Sequence, residues 1–174
     1  MKSDIQKAIK RGQLVIYPTD TIYGIGCDAT NPAAVRRLRR LKKSRKPFSV
    51  IVSKEWIRKN CATAGHGRHL KLLPGPYTFI LRLKTKKAVA KEVNLSSDTI
   101  GVRIPNHPFT AQILKGKRPF ITTSVNETGE QFIRSIREIP KRFKKAALVI
   151  GAGKLRGKPS KIYDLTGTHA RRIR

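Results

Sequence analysis

The sequence predicts an α/β fold built on one large mixed sheet, and three observations carry that reading. Short runs rich in Val, Ile, Phe and Tyr recur along the 174 residues: QLVIYP, PFSVIVS, YTFILRL, TIGVRIP, PFITTS and ALVIG. Capped amphipathic stretches lie between them, the clearest from Pro32 to about Lys43. No linker, repeat or low-complexity segment divides the chain, so residues 1–174 read as a single domain.

The elements follow in order. Ser3 caps a short helix to Lys10, and Gly12 stops it. QLVIYP is a strand. After the Pro18-Thr19-Asp20 turn, TIYGIG is a second extended piece in which Gly24 and Gly26 read as a tight turn. Asn31-Pro32 starts the next helix, with a capping side chain followed by a proline whose missing N–H costs nothing there. Val35, Leu38 and Leu41 form its packing stripe and leave Arg36, Arg37, Arg39 and Arg40 to solvent. PFSVIVS is a buried strand, and Ser53 caps a helix through Trp56. Gly65–Gly67 breaks the chain before a helix from about Arg68 to Leu73. YTFILRL and TIGVRIP are strands, Phe109–Leu114 a helix and PFITTS a strand, closed by a turn at Glu127-Thr128-Gly129. A helix from Arg134 to Lys145 and strands at ALVIG, SKIYDLT and ARRIR complete the reading.

Charge is the compositional anomaly. Thirty-nine Lys and Arg stand against ten Asp and Glu, a formal charge of +29. Such a chain attracts polyanions over about a Debye length, ~8 Å at physiological salt. No run of 18 apolar residues occurs and the N-terminal MKSDIQKAIK is polar, which points to a cytoplasmic protein without a membrane span. Cys27 and Cys61 are too few for a disulfide framework.

Familiar catalytic signatures are absent. No G-x-x-x-x-G-K-[ST] occurs, and Gly24 and Gly26 lack the third glycine of a dinucleotide loop. His66 and His69 read as a surface pair without a third metal ligand, and His107, between Pro105 and Pro108, as part of a rigid turn. Ten scattered carboxylates argue against a two-metal cage, so any Mg²⁺ would enter on phosphates. What remains is cations, hydroxyls and an amide at strand ends: Lys43-x-Arg45 where a helix hands over to a strand, Arg103 before Pro105, and Ser124-Val125-Asn126 after PFITT. Together they suit a nucleotide. Phosphoryl or nucleotidyl transfer needs positioned positive charge more than covalent chemistry.

Five segments in order, YPTDTIYGIGCDA, LKKSRKPFSVIV, LLPGPYTFILRL, TIGVRIPNHP and TTSVNETG, together with the weaker GKPSKIYDLT, resemble the YrdC-like family of threonylcarbamoyl-AMP synthases in its short single-domain form. The resemblance runs from about residue 14 to the end. It implies a twisted open sheet with flanking helices and a basic concave face. It also implies a reaction: L-threonine, bicarbonate and ATP give threonylcarbamoyl-AMP and pyrophosphate, with Mg²⁺ carried on the ATP phosphates. The product would pass to a downstream transferase that makes N6-threonylcarbamoyladenosine in tRNA. By the same resemblance Lys43 and Arg45 act on the phosphates as catalytic cations, and Thr99, Ser124, Asn126 and Arg174 contact the nucleotide. Thr21, Arg103 and Ser160 lie at the threonine, with Arg103 on its carboxylate. Longer family members carry extra residues between the arginine and the proline of the basic turn, whereas here Lys46-Pro47 follows directly.

Two other readings fit parts of the sequence. A non-catalytic RNA-binding module would use the charge of RRLRRLKKSRK, the cluster from Lys141 to Lys145 and the tail RRIR, although few aromatics are available for base stacking. A sister branch sharing YTFIL and GVRIP would hydrolyse threonylcarbamoyl-AMP, but its members lack the Ser-x-Asn that is present here. An enzyme of tRNA modification could also bind tRNA weakly through the same basic surface.

Overall fold

The structure is a computed structural model that describes residues 2–127 and 129–174, with side chains from residue 5 onward. The backbone of Ser3 lies within the first helix while its expected capping side chain is outside the described ones, and Thr128 of the expected turn falls outside the described residues. Helix α1 (Lys2–Lys10) leads through Gly12, at φ +71°, into strand β1 (Leu14–Tyr17) and its antiparallel neighbour β2 (Gly24–Gly26). Helix α2 (Pro32–Lys42) begins where the Asn31 side chain accepts the Ala34 N–H at 3.1 Å. Strand β3 (Ser49–Ile51) follows. Ser53 then caps α3 (Lys54–Asn60), accepting the Trp56 N–H at 3.0 Å, and the helix continues well past Trp56. After α4 (Gly67–Leu70) come β4 (Tyr77–Arg82), a one-turn helix α5 (Lys91–Asn94), β5 (Thr99–Arg103), α6 (Pro108–Leu114) and β6 (Phe120–Ser124). Helix α7 (Lys141–Ala146) and strands β7 (Ala147–Val149), β8 (Lys161–Asp164) and β9 (Arg171–Arg172) close the chain.

Among the described residues nine strands form one open sheet in the order β7-β1-β2-β6-β3-β5-β4-β8-β9. The pairs β1·β7, β3·β5 and β4·β8 are parallel and the others antiparallel, so the sheet is mixed, as the alternation of elements predicts. One face is fully covered. Ile16, Ile25, Val50, Phe79, Val102 and Ile121 pack there against Val35 and Leu38 of α2, Ile57 of α3, Val93 of α5 and Phe143 of α7. On the opposite face Val15, Tyr17, Ile51 and Phe120 are covered by Ile5 and Ile9 of α1 and Phe109 and Ile113 of α6. Alternation along the strands then places Ser49, Thr122, Ser124 and Arg103 on this second face, beyond the reach of α1 and α6. That uncovered half of the face is polar, and a cleft opens on it.

Three local expectations need correction. Gly24–Gly26 is a strand, not a tight turn: a Cβ at Gly26 would lie 1.7 Å from the Ile121 carbonyl oxygen, so glycine lets β6 approach. The helix expected over 134–145 is a 3-10 turn at Ile136–Glu138 and then α7, because proline at 140 disfavours helical backbone at Ile139. His66 is not on the surface. It is 6 % exposed, and its Nε2 lies 3.0 Å from the Gly167 carbonyl oxygen. His107 lies in the expected turn, its N–H donating to the Pro105 carbonyl at 3.0 Å, and it also caps α6, its Nδ1 accepting the Phe109 N–H at 3.1 Å. No helix among the described residues is long and apolar enough to cross a membrane.

Candidate active site

The cleft on the uncovered face has a volume of about 570 Å³. Its floor is made by Ser49, Thr78, Thr122 and Ser124 of strands β3, β4 and β6, and its walls by Thr19 and Thr21–Tyr23, the turn after α2, Asn126, Glu127, Gly129, Glu130, Phe132 and Ser160. Four cations reach it: Lys42, Lys46, Arg103 and Arg174, with Glu127 and Glu130 at the rim. Sequence reasoning expected a basic concave face, and this is it.

One end is built around Arg103, the last residue of β5. Its side chain is buried, with Nη2 donating to Asp20 Oδ1 at 3.0 Å and to Thr21 Oγ1 at 3.4 Å. Its Nε is buried without a protein partner. Burial draws the guanidinium pKa down and Asp20 opposes that shift, yet arginine stays charged throughout the accessible range. Asp20 is held in turn by the Asn106 N–H at 2.9 Å, and Thr19 Oγ1 bridges Thr21 Oγ1 at 2.8 Å and the Ile22 carbonyl at 2.7 Å. Thr78 and Ser160 pair their hydroxyls at 2.9 Å, and Arg174 donates to the Ser160 carbonyl from Nε at 3.3 Å and Nη2 at 3.2 Å. A fixed, mostly buried cation that lines the cleft among hydroxyls suits a small carboxylate.

The other end is built around the C-terminus of α2. Lys42 is buried, and its Nζ donates to the backbone carbonyls of Ser124 and Asn126. Burial pushes its pKa down to about 8, partly offset by the Glu130 carboxylate. Asn126 Nδ2 donates to the carbonyls of Glu127 and Glu130, both at 2.8 Å, and its Oδ1 is buried without a partner. The residue after Lys42 sits in the left-handed region, with φ 50° at Lys43, which reverses the chain at the helix end. Ser44 and Lys46 then line the cleft. Phe132, 41 % exposed, stands on the far wall with the Arg174 guanidinium carbon 5.9 Å from its ring centroid.

Of the residues expected at the site, the structure gathers Thr21, Arg103, Ser124, Asn126, Ser160 and Arg174 in this one cleft. It does not bring Lys43, Arg45 or Thr99 there. The Lys43 side chain is 70 % exposed and pairs with Glu127 Oε2 at 3.3 Å, and Arg45 is exposed and off the cleft wall. The basic turn therefore faces the cleft one residue out of phase with expectation, through Lys42, Ser44 and Lys46. Thr99 begins β5, four residues and roughly 13 Å along the strand from Arg103. Its Oγ1 is paired with Ser97 Oγ at 3.0 Å. Lys42 was detectable in principle: it follows Val35 and Leu38 at seven and four residues and so lies on the packing face of α2. Ser49, Thr78 and Thr122 carry no such signal, because only strand pairing brings them together.

Among the described residues no group of three or more His, Cys, Asp or Glu is placed to hold a metal ion. A family model named for Sua5, YciO and YrdC and described as "Telomere recombination" matches residues 7–174. A Yersinia enterocolitica relative named "Threonylcarbamoyl-AMP synthase" is 30 % identical, over 97 % of this chain and 94 % of its own. The crystal structure of Pyrococcus abyssi Sua5, "P. abyssi Sua5 complexed with L-threonine", superposes with a TM-score of 0.88 at 26 % identity. The match covers all of this chain and 54 % of that one, so the chain spans about half the length of Sua5. Escherichia coli YciO superposes with a TM-score of 0.84 at 26 % identity, over 99 % of this chain and 87 % of its own.

Proposed function

The chain belongs to the Sua5/YciO/YrdC family, and from that premise we propose that it is a threonylcarbamoyl-AMP synthase, a nucleotidyltransferase that joins L-threonine, bicarbonate and ATP into threonylcarbamoyl-AMP and pyrophosphate. The observation that carries the proposal is the pairing of two unlike cation groups in one cleft: Arg103, fixed on Asp20 among hydroxyls, at one end, and Lys42, Lys46 and the Ser124–Asn126 segment at the other. Arg103 takes the threonine carboxylate, with Thr21 and Ser160 beside it. The threonine amine condenses with bicarbonate, losing water, to give a carbamate. A carbamate oxygen then attacks the α-phosphorus of ATP and the bond to pyrophosphate breaks.

The chain's own contribution to this chemistry is placement and charge. Two anions must approach each other, and fixed ammonium and guanidinium groups in a partly dry cleft lower that repulsion. Lys42, Lys46, Ser124 and Asn126 face the phosphates, and Arg174 with Phe132 offers a cation and a flat apolar surface for the rest of the nucleotide. Mg²⁺ arrives as part of the substrate on the ATP phosphates. The product is a reactive acyl-adenylate for a tRNA-modifying transferase.

The test is pyrophosphate release from ATP and Mg²⁺ with threonine and bicarbonate supplied or omitted. Release is expected only when both are present, and release indifferent to either overturns the proposal. The retained Ser124–Asn126 segment on the cleft wall favours synthesis over the hydrolytic reading. A weak tRNA contact through the exposed cations Arg36, Arg40, Lys141 and Lys145 is part of the same proposal. Its affinity should fall by about 0.7–0.9 log units per tenfold rise in salt for each phosphate neutralised. Absence of tRNA binding at low salt would remove that contact and leave the synthase reading intact.

A further inference from the structure

The crossover from β7 to β8, residues 150–160, contains no helix or strand, yet it is fastened along its length. Its Ile150 N–H donates to the Ile16 carbonyl at 2.8 Å, and its Leu155 N–H to the Arg134 carbonyl at 2.8 Å. Between them the hydroxyl of fully buried Tyr23 accepts the Ala152 N–H at 2.9 Å and donates to the Gly153 carbonyl at 2.8 Å. Pro159 and Ser160, near its end, line the cleft. β7 is one edge of the sheet and β8 lies beside the other edge, so the crossover spans the sheet and passes the loop that carries Thr19 to Tyr23.

The contact at Gly157 is the informative one. A Cβ there would lie 2.4 Å from the Thr21 carbonyl oxygen, 2.6 Å from Thr21 Cα and 2.8 Å from the Asp20 carbonyl oxygen. All three are main-chain atoms, which no change of rotamer can move aside. The φ of Gly157 lies outside the left-handed region, so the neighbouring loop demands a glycine and the local backbone does not. Gly153 is the converse case, with φ +68° and nothing within 4 Å of where a Cβ would stand. Asp20 and Thr21 are also the residues that hold Arg103, their side-chain oxygens 3.0 and 3.4 Å from its Nη2. The crossover thus bears on the main chain of the two residues whose side chains fix that cation.

We propose that Gly157 is a positioning residue for the Arg103 end of the cleft: without touching the ligand, its bare main chain lets the crossover rest on Thr21 and Asp20, and so sets where they stand against Arg103. This rests on reading the Arg103 end as the threonine site. A Cβ does not stand closer than 3.0 Å to such atoms, so a methyl group at 157 parts crossover and loop by about half an ångström or more. A constellation that must be held to within about 0.5 Å does not keep its geometry through that shift. The nucleotide end stands on α2 and the Ser124–Asn126 segment, which Gly157 does not touch.

The experiment measures threonine and ATP binding by calorimetry on the parent, Gly157→Ala and Gly153→Ala. Gly157→Ala is expected to weaken threonine about tenfold and to leave ATP within about twofold. Gly153→Ala strains the same crossover through its φ without pressing on Thr21, so it should lower the melting temperature and leave both ligands within about twofold. Amide exchange is the second readout. The Thr21 and Ile22 N–H groups, held by Thr19 Oγ1 at 3.1 and 3.3 Å, should exchange faster in Gly157→Ala and not in Gly153→Ala. Unchanged threonine affinity in Gly157→Ala, equal losses on both ligands, or the same threonine loss in Gly153→Ala makes the crossover a merely structural element and overturns the proposal. Threonine loss without faster exchange at 21 and 22, or unfolding of Gly157→Ala seen by thermal melting, overturns it as well. Pyrophosphate release by the parent separates this from the functional reading. A selective threonine loss in Gly157→Ala, beside a parent without threonine-dependent release, keeps the role of Gly157 and removes the synthase. Threonine-dependent release with unchanged binding in Gly157→Ala does the reverse. A parent that does not bind threonine overturns both.

Discussion

The two ends of the cleft are built on different principles. At the Arg103 end, a buried cation is fixed by a buried carboxylate, Asp20, and both are anchored by strand β5 and a hydrogen-bonded loop, with their side chains about one-tenth exposed. At the Lys46 end, the cations ride on a short turn after a helix whose carbonyls at 44 and 46 are caught on Arg39, while Lys42 holds the carbonyls of Ser124 and Asn126 across the cleft. The first end is a rigid receptor whose chemistry is written in the residues that touch the ligand. The second depends on which way a turn is rotated. A small carboxylate needs one exact mate, whereas a flexible, highly charged triphosphate tolerates a more mobile, more exposed set of cations.

The largest effect should come from breaking the rigid end. Arg103→Ala leaves Asp20 buried without its cation. It should lower stability by about 3–5 kcal/mol in denaturant melts, the usual penalty of removing one partner of a buried pair. A loss below about 1 kcal/mol would mean that Asp20 is served well enough by the Asn106 amide. Lys46→Ala, on an exposed turn, should change stability by no more than about 0.5 kcal/mol in the same melts.

Lys42 joins the two principles, being buried like Arg103 yet belonging to the phosphate end. Lys42→Met strips the donor from two backbone carbonyls and should cost about 1–3 kcal/mol of stability, along with roughly a tenfold loss of ATP affinity. Its titration gives a pH signature. Burial holds the folded value near 8, below the unfolded one. As pH rises through 8 the folded protein loses that proton first, and between 8 and the unfolded value the unfolded state binds more protons, so this group's contribution to stability rises with pH. ATP affinity should move the opposite way, falling above pH 8 as the positive charge leaves the cleft. Calorimetry across pH 7 to 9 checks this, and a profile as steep in Lys42→Met as in the parent would sink it.

How much of this was legible in the sequence follows the same division. Most of the strands were readable because they are short apolar runs, and the Arg103 end because a cation at a strand terminus keeps its place once the strand is assigned. α5 was missed because four residues of KEVN are too few for a periodic signal. The tail helix was overdrawn because proline at 140 outweighs the helix-forming cations around it. The basic turn was expected to face the site through Lys43 and Arg45, and it lines the cleft through Ser44 and Lys46. A single left-handed residue, Lys43, exchanges inward and outward positions, and no local pattern forces a lysine into that region. Arg39 looked solvated by helical spacing, but a long side chain can fold back onto carbonyls that its spacing says nothing about.

The smallest effects should come from the residues that the turn presents to solvent. Lys43→Ala and Arg45→Ala should each change ATP affinity less than threefold. An exposed ion pair such as Lys43–Glu127 is weak and salt-screened, and Arg45 lines no part of the cleft. A tenfold loss from either would show that the turn rotates when nucleotide binds.

The division between the two ends is tested most directly by measuring threonine and ATP affinities side by side, by calorimetry, on Arg103→Lys and Lys46→Ala. Arg103→Lys keeps a cation beside Asp20 but loses the fork. It should weaken threonine at least tenfold and leave ATP within twofold, while Lys46→Ala should do the opposite. If each substitution weakens both ligands to the same degree, the cleft is one undivided basic surface, and the account of two separately built receptors is wrong.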